Sequence, residues 1–145
     1  MILCDTNVWL ALTLSAHQNH PQAVQWLESI QQLQSVWFCR PTQSSLLRLL
    51  TSGAVLAPYG IPALSNGAAL DLFDRLLQDD RIGLVAAEPP GLEAWWHQYA
   101  GVPTASPKLW MDAYLAAFAV SGGYQLVTFD KAFHQFSGLD LKLLK

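Results

Sequence analysis

The sequence predicts an α/β protein with a mostly parallel sheet. Three observations predict it. Short apolar runs recur at residues 1–4, 36–39, 82–85, 124–129 and 139–144. Longer segments with helical spacing of apolar residues separate them. Strands that alternate with helices build parallel sheets, because each return to the same edge needs a crossover. Glycine, proline and polar clusters punctuate the joints, and no internal repeat is present.

Residues 1–4 are too few for a helix and read as a buried strand. A helix follows from Val8 to about Thr13, with Thr6 or Asn7 as its cap. His17 to His20 reads as a polar loop. Pro21 suits the first position of the next helix, whose apolar side carries Ala23, Val24, Trp26, Leu27 and Ile30. Residues 36–39 form the second strand. Pro41-Thr42 opens a helix with Thr42 as cap and Leu46, Leu47, Leu49 and Leu50 facing the core, and Gly53 ends it. Residues 54–66 contain Pro58, Gly60 and Pro62 and read as a loop. A helix over 67–77, a strand over 82–85 and a short helix over 92–99 come next. Residues 101–107 form a loop. Residues 108–120 form a strongly apolar helix that Gly122-Gly123 terminates. The strand 124–129 stops at Asp130, 131–136 forms a helical turn, and 139–144 forms the last strand.

The chain has 145 residues, of which 52% are hydrophobic and 13% charged. That balance excludes a disordered chain, and the length predicts one domain over 1–145 with a sizeable core. Eight basic and 11 acidic residues give a net charge of −3. This is not the basic footprint of a protein that binds nucleic acid mainly by neutralising phosphates. Cys4 and Cys39 lie in apolar runs and read as buried, reduced thiols. Asp5 interrupts the apolar start and no basic segment precedes it, so a signal peptide is not expected. The longest apolar run is too short to cross a bilayer. The expected setting is the cytoplasm, away from membranes.

The informative feature is the placement of three acids. Asp5 follows the first strand, and Asp130 follows the 124–129 strand. In a parallel sheet, ligands bind outside the carboxyl ends of strands. Asp112 stands near the start of the apolar helix that leads into the Asp130 strand, among Trp110, Met111, Ala113 and Tyr114. Taken singly, Asp5 reads as a helix cap, Asp112 as a first-turn acid and Asp130 as a turn residue. Taken together, they are candidates to converge. Clustered carboxylates repel one another, and a hard divalent cation such as Mg²⁺ or Mn²⁺ relieves that repulsion. Such a cation can lower the pKa of a water and stabilise charge on a phosphodiester, so metal-assisted phosphate ester hydrolysis is the implied chemistry.

Three segments carry a family resemblance. They are Ile2-Leu3-Cys4-Asp5-Thr6-Asn7-Val8-Trp9-Leu10, Arg40-Pro41-Thr42-Gln43-Ser44-Ser45-Leu46-Leu47-Arg48-Leu49-Leu50-Thr51, and Trp110-Met111-Asp112-Ala113-Tyr114-Leu115-Ala116-Ala117 running on to Leu126-Val127-Thr128-Phe129-Asp130. In order and spacing the chain resembles a PIN domain, more narrowly a VapC-type ribonuclease toxin of a type II toxin–antitoxin pair. The resemblance implies a three-layer α/β/α sandwich and a Mg²⁺-dependent endoribonuclease. It also implies an RNA substrate, a cognate antitoxin and a homodimer. It assigns Asp5, Asp112 and Asp130 to the metal site, with Thr6, Asn7 and Thr128 in support. The family commonly has a glutamate on the central helix, and the matching position here is Gln43. Glutamine keeps a ligating oxygen and loses the charge.

Two rival readings stand beside it. A non-catalytic PIN-like module that binds RNA or protein draws on Gln43. A small phosphohydrolase with Asp5 as nucleophile usually carries Asp-x-Asp, and Asn7 stands against it. Arg48 and Lys108 are candidate substrate contacts, although an ion pair for Arg48 and a solvated role for Lys108 suit them as well. His17 and His20 lack a third ligand. Trp9, Trp26, Trp37 and Trp110 read as core, and Trp95-Trp96 as a surface for a partner.

Overall fold

The computed structural model describes residues 1–145. Five strands form one sheet: β1 (Ile2–Cys4), β2 (Val36–Cys39), β3 (Ile82–Val85), β4 (Gln125–Thr128) and β5 (Leu141–Leu143). Their order is β3-β2-β1-β4-β5, and every pairing is parallel. All carboxyl ends therefore lie on one edge. The inner strands β1, β2 and β4 are covered on both faces, and their near-continuous apolar sequences are what a parallel sheet demands, whereas the edge strand β5 exposes Lys142.

Seven helices surround the sheet: α1 (Thr6–Thr13), α2 (His20–Glu28), α3 (Arg40–Leu50), α4 (Gly53–Leu56), α5 (Asn66–Leu77), α6 (Leu92–Ala100) and α7 (Leu109–Gly122). Side chains alternate across each strand. Leu3, Cys39 and Leu126 enter a core with α6 and α7, where Ala113, Leu115, Ala116 and Phe118 are buried. Cys4, Phe38 and Val127 enter a second core with Val8, Trp9, Leu46, Leu50 and Phe73. The result is the expected α/β/α sandwich. Trp9 stacks on Phe38 with ring centroids 3.7 Å apart, which ties α1 to β2.

Several local expectations are corrected. Asp5, not Thr6 or Asn7, caps α1, because its carboxylate accepts the Thr6 N–H. The cap of α3 is Cys39, and Thr42 sits one turn in, where its hydroxyl oxygen accepts the Cys39 N–H. Gly53 starts a helix rather than ending one, since Ser52 caps α4 by accepting the Val55 N–H. Residues 54–66 therefore hold most of α4 and a 3₁₀ turn at Ala57–Tyr59, and Gly60 ends that turn in the left-handed conformation. Trp110 is 58% exposed instead of buried. No helix is long and apolar enough to cross a membrane. Both cysteines are free and buried.

Candidate active site

Two crossings of the carboxyl edge build the centre. The chain leaves β1 at Asp5 and turns at once into α1. It leaves β4 at Thr128 and passes Asp130 into a 3₁₀ turn at Lys131–Gln135. β1 and β4 are neighbours, so these two crossings meet.

Thr128 is fully buried and links them. Its hydroxyl donates to Asp5 Oδ2 at 2.8 Å. The same oxygen accepts Asn7 Nδ2–H at 3.1 Å and the Asp130 N–H at 3.0 Å. Asn7 Oδ1 in turn accepts the Phe129 N–H at 3.3 Å. Thr6 contributes its backbone, whose N–H lies 2.7 Å from Asp5 Oδ1. Asp130 Oδ1 accepts the Ala132 N–H at 2.9 Å. The cap roles of Asp5 and Asp130 and their place in the cluster are thus compatible, since a carboxylate has lone pairs beyond the one that a cap uses.

Asp112 lies in the first turn of α7 and makes no hydrogen bond to protein. Burial pushes its carboxyl up to about 6, and the nearby charges of Asp5 and Asp130 push in the same direction. Burial also raises Asp5, against the opposing effects of the Thr128 hydroxyl and the Thr6 amide, and Asp130 adds to the rise. Three carboxylates therefore share one electrostatic neighbourhood. Asp112 and Asp130 line a cleft of about 580 Å³ with Ser106, Lys108, Ala132 and Gln135. Asp5 does not line the cleft but is linked to Asp130 through the Thr128 hydroxyl.

As they stand, the side chains form no group of three or more His, Cys, Asp or Glu in metal-holding geometry. The donor chemistry nevertheless fits a hard cation. All three groups offer carboxylate oxygen, Asp112 has no partner, and a divalent ion would offset both the burial and the added repulsion that raise Asp112 and Asp5.

The other expected residues fall elsewhere. Gln43 is on the first turns of α3, and its Oε1 accepts Arg40 Nη1–H at 2.6 Å. Arg48 lies five residues further down α3, away from the carboxyl edge. It lines a separate cavity of about 340 Å³ with Asn66 and Leu70. Lys108 stands at the mouth of the cleft, just before α7. Trp95 is half-buried against Tyr99, and Trp96 meets Trp110 and Tyr114 edge-on. Ser106 and Gln135 were not legible as cleft residues, although the Ser106-Pro107-Lys108 turn before the Asp112 helix is a signal that points to them.

A parallel sheet sandwiched by helices, with acids gathered at its carboxyl edge, defines a class of α/β domains suited to phosphate ester chemistry. Residues 2–139 match the PIN domain family, and the chain belongs to it. It is 54% identical over 144 residues to "Ribonuclease VapC41" of Mycobacterium tuberculosis, covering 99% of both chains. Its fold is similar to that of Mycobacterium tuberculosis VapC20, a sarcin-ricin loop cleaving toxin. There the TM-score is 0.64 at 20% identity, over 98% of this chain and 99% of that one. It is also similar to VapBC2 of Rickettsia felis, solved on a DNA fragment from its promoter. The TM-score is 0.62 at 14% identity over the whole of both chains.

Proposed function

We infer that this protein is a metal-dependent endoribonuclease, the toxin of a type II toxin–antitoxin pair, held inactive by a cognate antitoxin. The observation that carries the reading is the coupling of Asp112 to Asp5 and Asp130 at the carboxyl edge, where burial and like charge raise Asp112 to about 6. The 54% identity to a ribonuclease, over 99% of both chains, supports it.

Asp5, Asp112 and Asp130 are the residues to hold the cation, with Mg²⁺ favoured over Mn²⁺. When bound, the cation lowers the pKa of a water and offsets phosphate charge. Thr128 and Asn7 keep Asp5 oriented, as partners behind ligands do. Lys108, at the cleft mouth, supplies a positive charge for the incoming backbone. The net charge of −3 is no obstacle, because three of the acids belong to the cluster that the cation neutralises.

A homodimer belongs to the same reading, and mass measurement in solution tests it. The central experiment is cleavage of RNA with Mg²⁺ present. Wild-type protein cleaves and Asp5→Ala does not; equal behaviour of the two overturns the assignment.

A further inference from the structure

A second cavity opens on the same carboxyl edge, on the other side of α7. It has a volume of about 530 Å³ and is lined by Arg40, Val85, Glu88, Trp96, Tyr114 and Phe118, among others. Arg40 follows β2 directly and Val85 ends β3, so the cavity sits over the ends of those two strands. β1 and Asp5 are one or two strand spacings away, about 5–10 Å. α7 is the wall between the two cavities: Asp112 faces the acidic cleft, and Tyr114 faces this one.

The lining combines opposite hydrogen-bonding characters with aromatic walls. Glu88 is exposed after β3, and its Oε2 accepts the Tyr114 hydroxyl at 2.6 Å. Its Oε1 has no protein partner. Arg40 gives Nη1 to Gln43, which leaves Nε and Nη2 as donors. Trp96 is fixed by its Nε1–H, which donates to the Trp110 carbonyl at 3.1 Å, and it meets Tyr114 edge-on at 5.5 Å. A carboxylate only accepts and a guanidinium only donates.

We propose that this cavity is a nucleobase subsite that selects guanine in single-stranded RNA beside the cleavage position; the choice of RNA rests on the proposed function. Unpaired bases are recognised by aromatic packing together with hydrogen bonds to their edges. Guanine presents O6 and N7 as paired acceptors for an arginine, and its N1–H and amino group as donors for a carboxylate. Adenine turns a donor toward the arginine. Cytosine meets both characters with one ring, which leaves more of a 530 Å³ space unfilled. Glu88 and Arg40 are therefore specificity residues, outside the acidic cleft.

The test is binding of full-length protein to labelled hexauridylate, and to the same strand with one internal guanosine, adenosine or cytidine, by fluorescence anisotropy in EDTA. The expected result is about tenfold tighter binding of the guanosine strand. Glu88→Gln removes that preference, Arg40→Gln weakens it, and Asp5→Asn leaves it unchanged. Glu88 is exposed on a loop, and a circular dichroism spectrum matching wild type establishes that its variant folds. Equal binding of all four strands, a preference for another base, or a guanosine preference that survives Glu88→Gln overturns the proposal. Guanosine preference without cleavage in Mg²⁺ defeats the nuclease reading and leaves the subsite standing. Cleavage without base preference does the reverse.

Discussion

The Thr128 hydroxyl donates to Asp5 Oδ2 at 2.8 Å, joining residues 123 positions apart at the ends of adjacent strands. One buried oxygen thereby orients a carboxylate from β1 and receives the amide of Asp130 after β4. Thr128→Val keeps the shape and removes all of these bonds. The expected outcome is a 10–100-fold loss of RNA cleavage or metal affinity, the usual effect of losing a partner behind a ligand. Thr128→Ser retains most of the activity. Initial rates across a Mg²⁺ titration check both.

Burial, with the charges of Asp5 and Asp130 adding to it, raises the Asp112 carboxyl from 3.8 to about 6. An acid with a raised folded-state pKa holds its proton more tightly when folded. Metal-free protein therefore loses stability as the pH rises from about 4 to about 6. That rise corresponds to about 3 kcal/mol for a shielded group, and screening at this half-exposed position leaves ~1 kcal/mol. Asp112→Asn removes much of the slope, and Asp5 retains the rest. The variant is expected to melt about 2–4 °C higher at pH 7 in EDTA while losing RNA cleavage. A lower melting temperature at pH 7 counts against the account.

Metal and protons compete for the same oxygens. Saturating Mg²⁺ is expected to raise the melting temperature at pH 7.5, because a ligand that binds only the folded state stabilises it; 100-fold excess over Kd gives about 2.7 kcal/mol. At pH 5, below the Asp112 pKa of about 6, the gain shrinks. Scanning calorimetry at both pH values, with and without EDTA, reads this directly.

Legibility in the sequence follows physical lines. Strand runs ending in Asp5 and Asp130 were readable because buried parallel strands are continuously apolar and the acids stand where that pattern stops. Asp112 was readable as a charge within an apolar helix. That same helix hid the exposure of Trp110, since a segment apolar on every side carries no signal for which face turns to solvent. Asp5, Thr6 and Asn7 all read as caps of α1 because all are good capping residues, and backbone geometry decides for Asp5. The Arg40–Gln43 bond and the cavity at Glu88 depend on side chains from separate elements, and no local spacing encodes them.

Gly83 faces Trp37 in the register of β2 and β3. A Cβ built at Gly83 would lie 2.6 Å from the Trp37 ring, so the indole lies where a side chain would go. Gly83→Ala must displace that ring, at a cost of about 1–3 kcal/mol. Urea unfolding is expected to show the lower midpoint. RNA cleavage at a temperature where the variant is folded is expected to be unchanged, since Gly83 lies within the strand rather than at its carboxyl end.

Gln43 departs from the glutamate common in the family, and the reason it matters is Arg40. The 2.6 Å bond from Arg40 Nη1 already holds Gln43 Oε1. A glutamate there would pair with that guanidinium before it served a cation. An exposed pair of this kind is worth about 0.2–1 kcal/mol, so the new carboxylate would be restrained only modestly. Gln43→Glu alone is expected to change Mg²⁺ affinity by less than about tenfold, in line with that competition. Combining it with Arg40→Gln releases the carboxylate, and affinity should rise further than either single change allows. Isothermal titration of the four proteins forms a double-mutant cycle. Strict additivity would mean that Arg40 does not govern what residue 43 offers a metal.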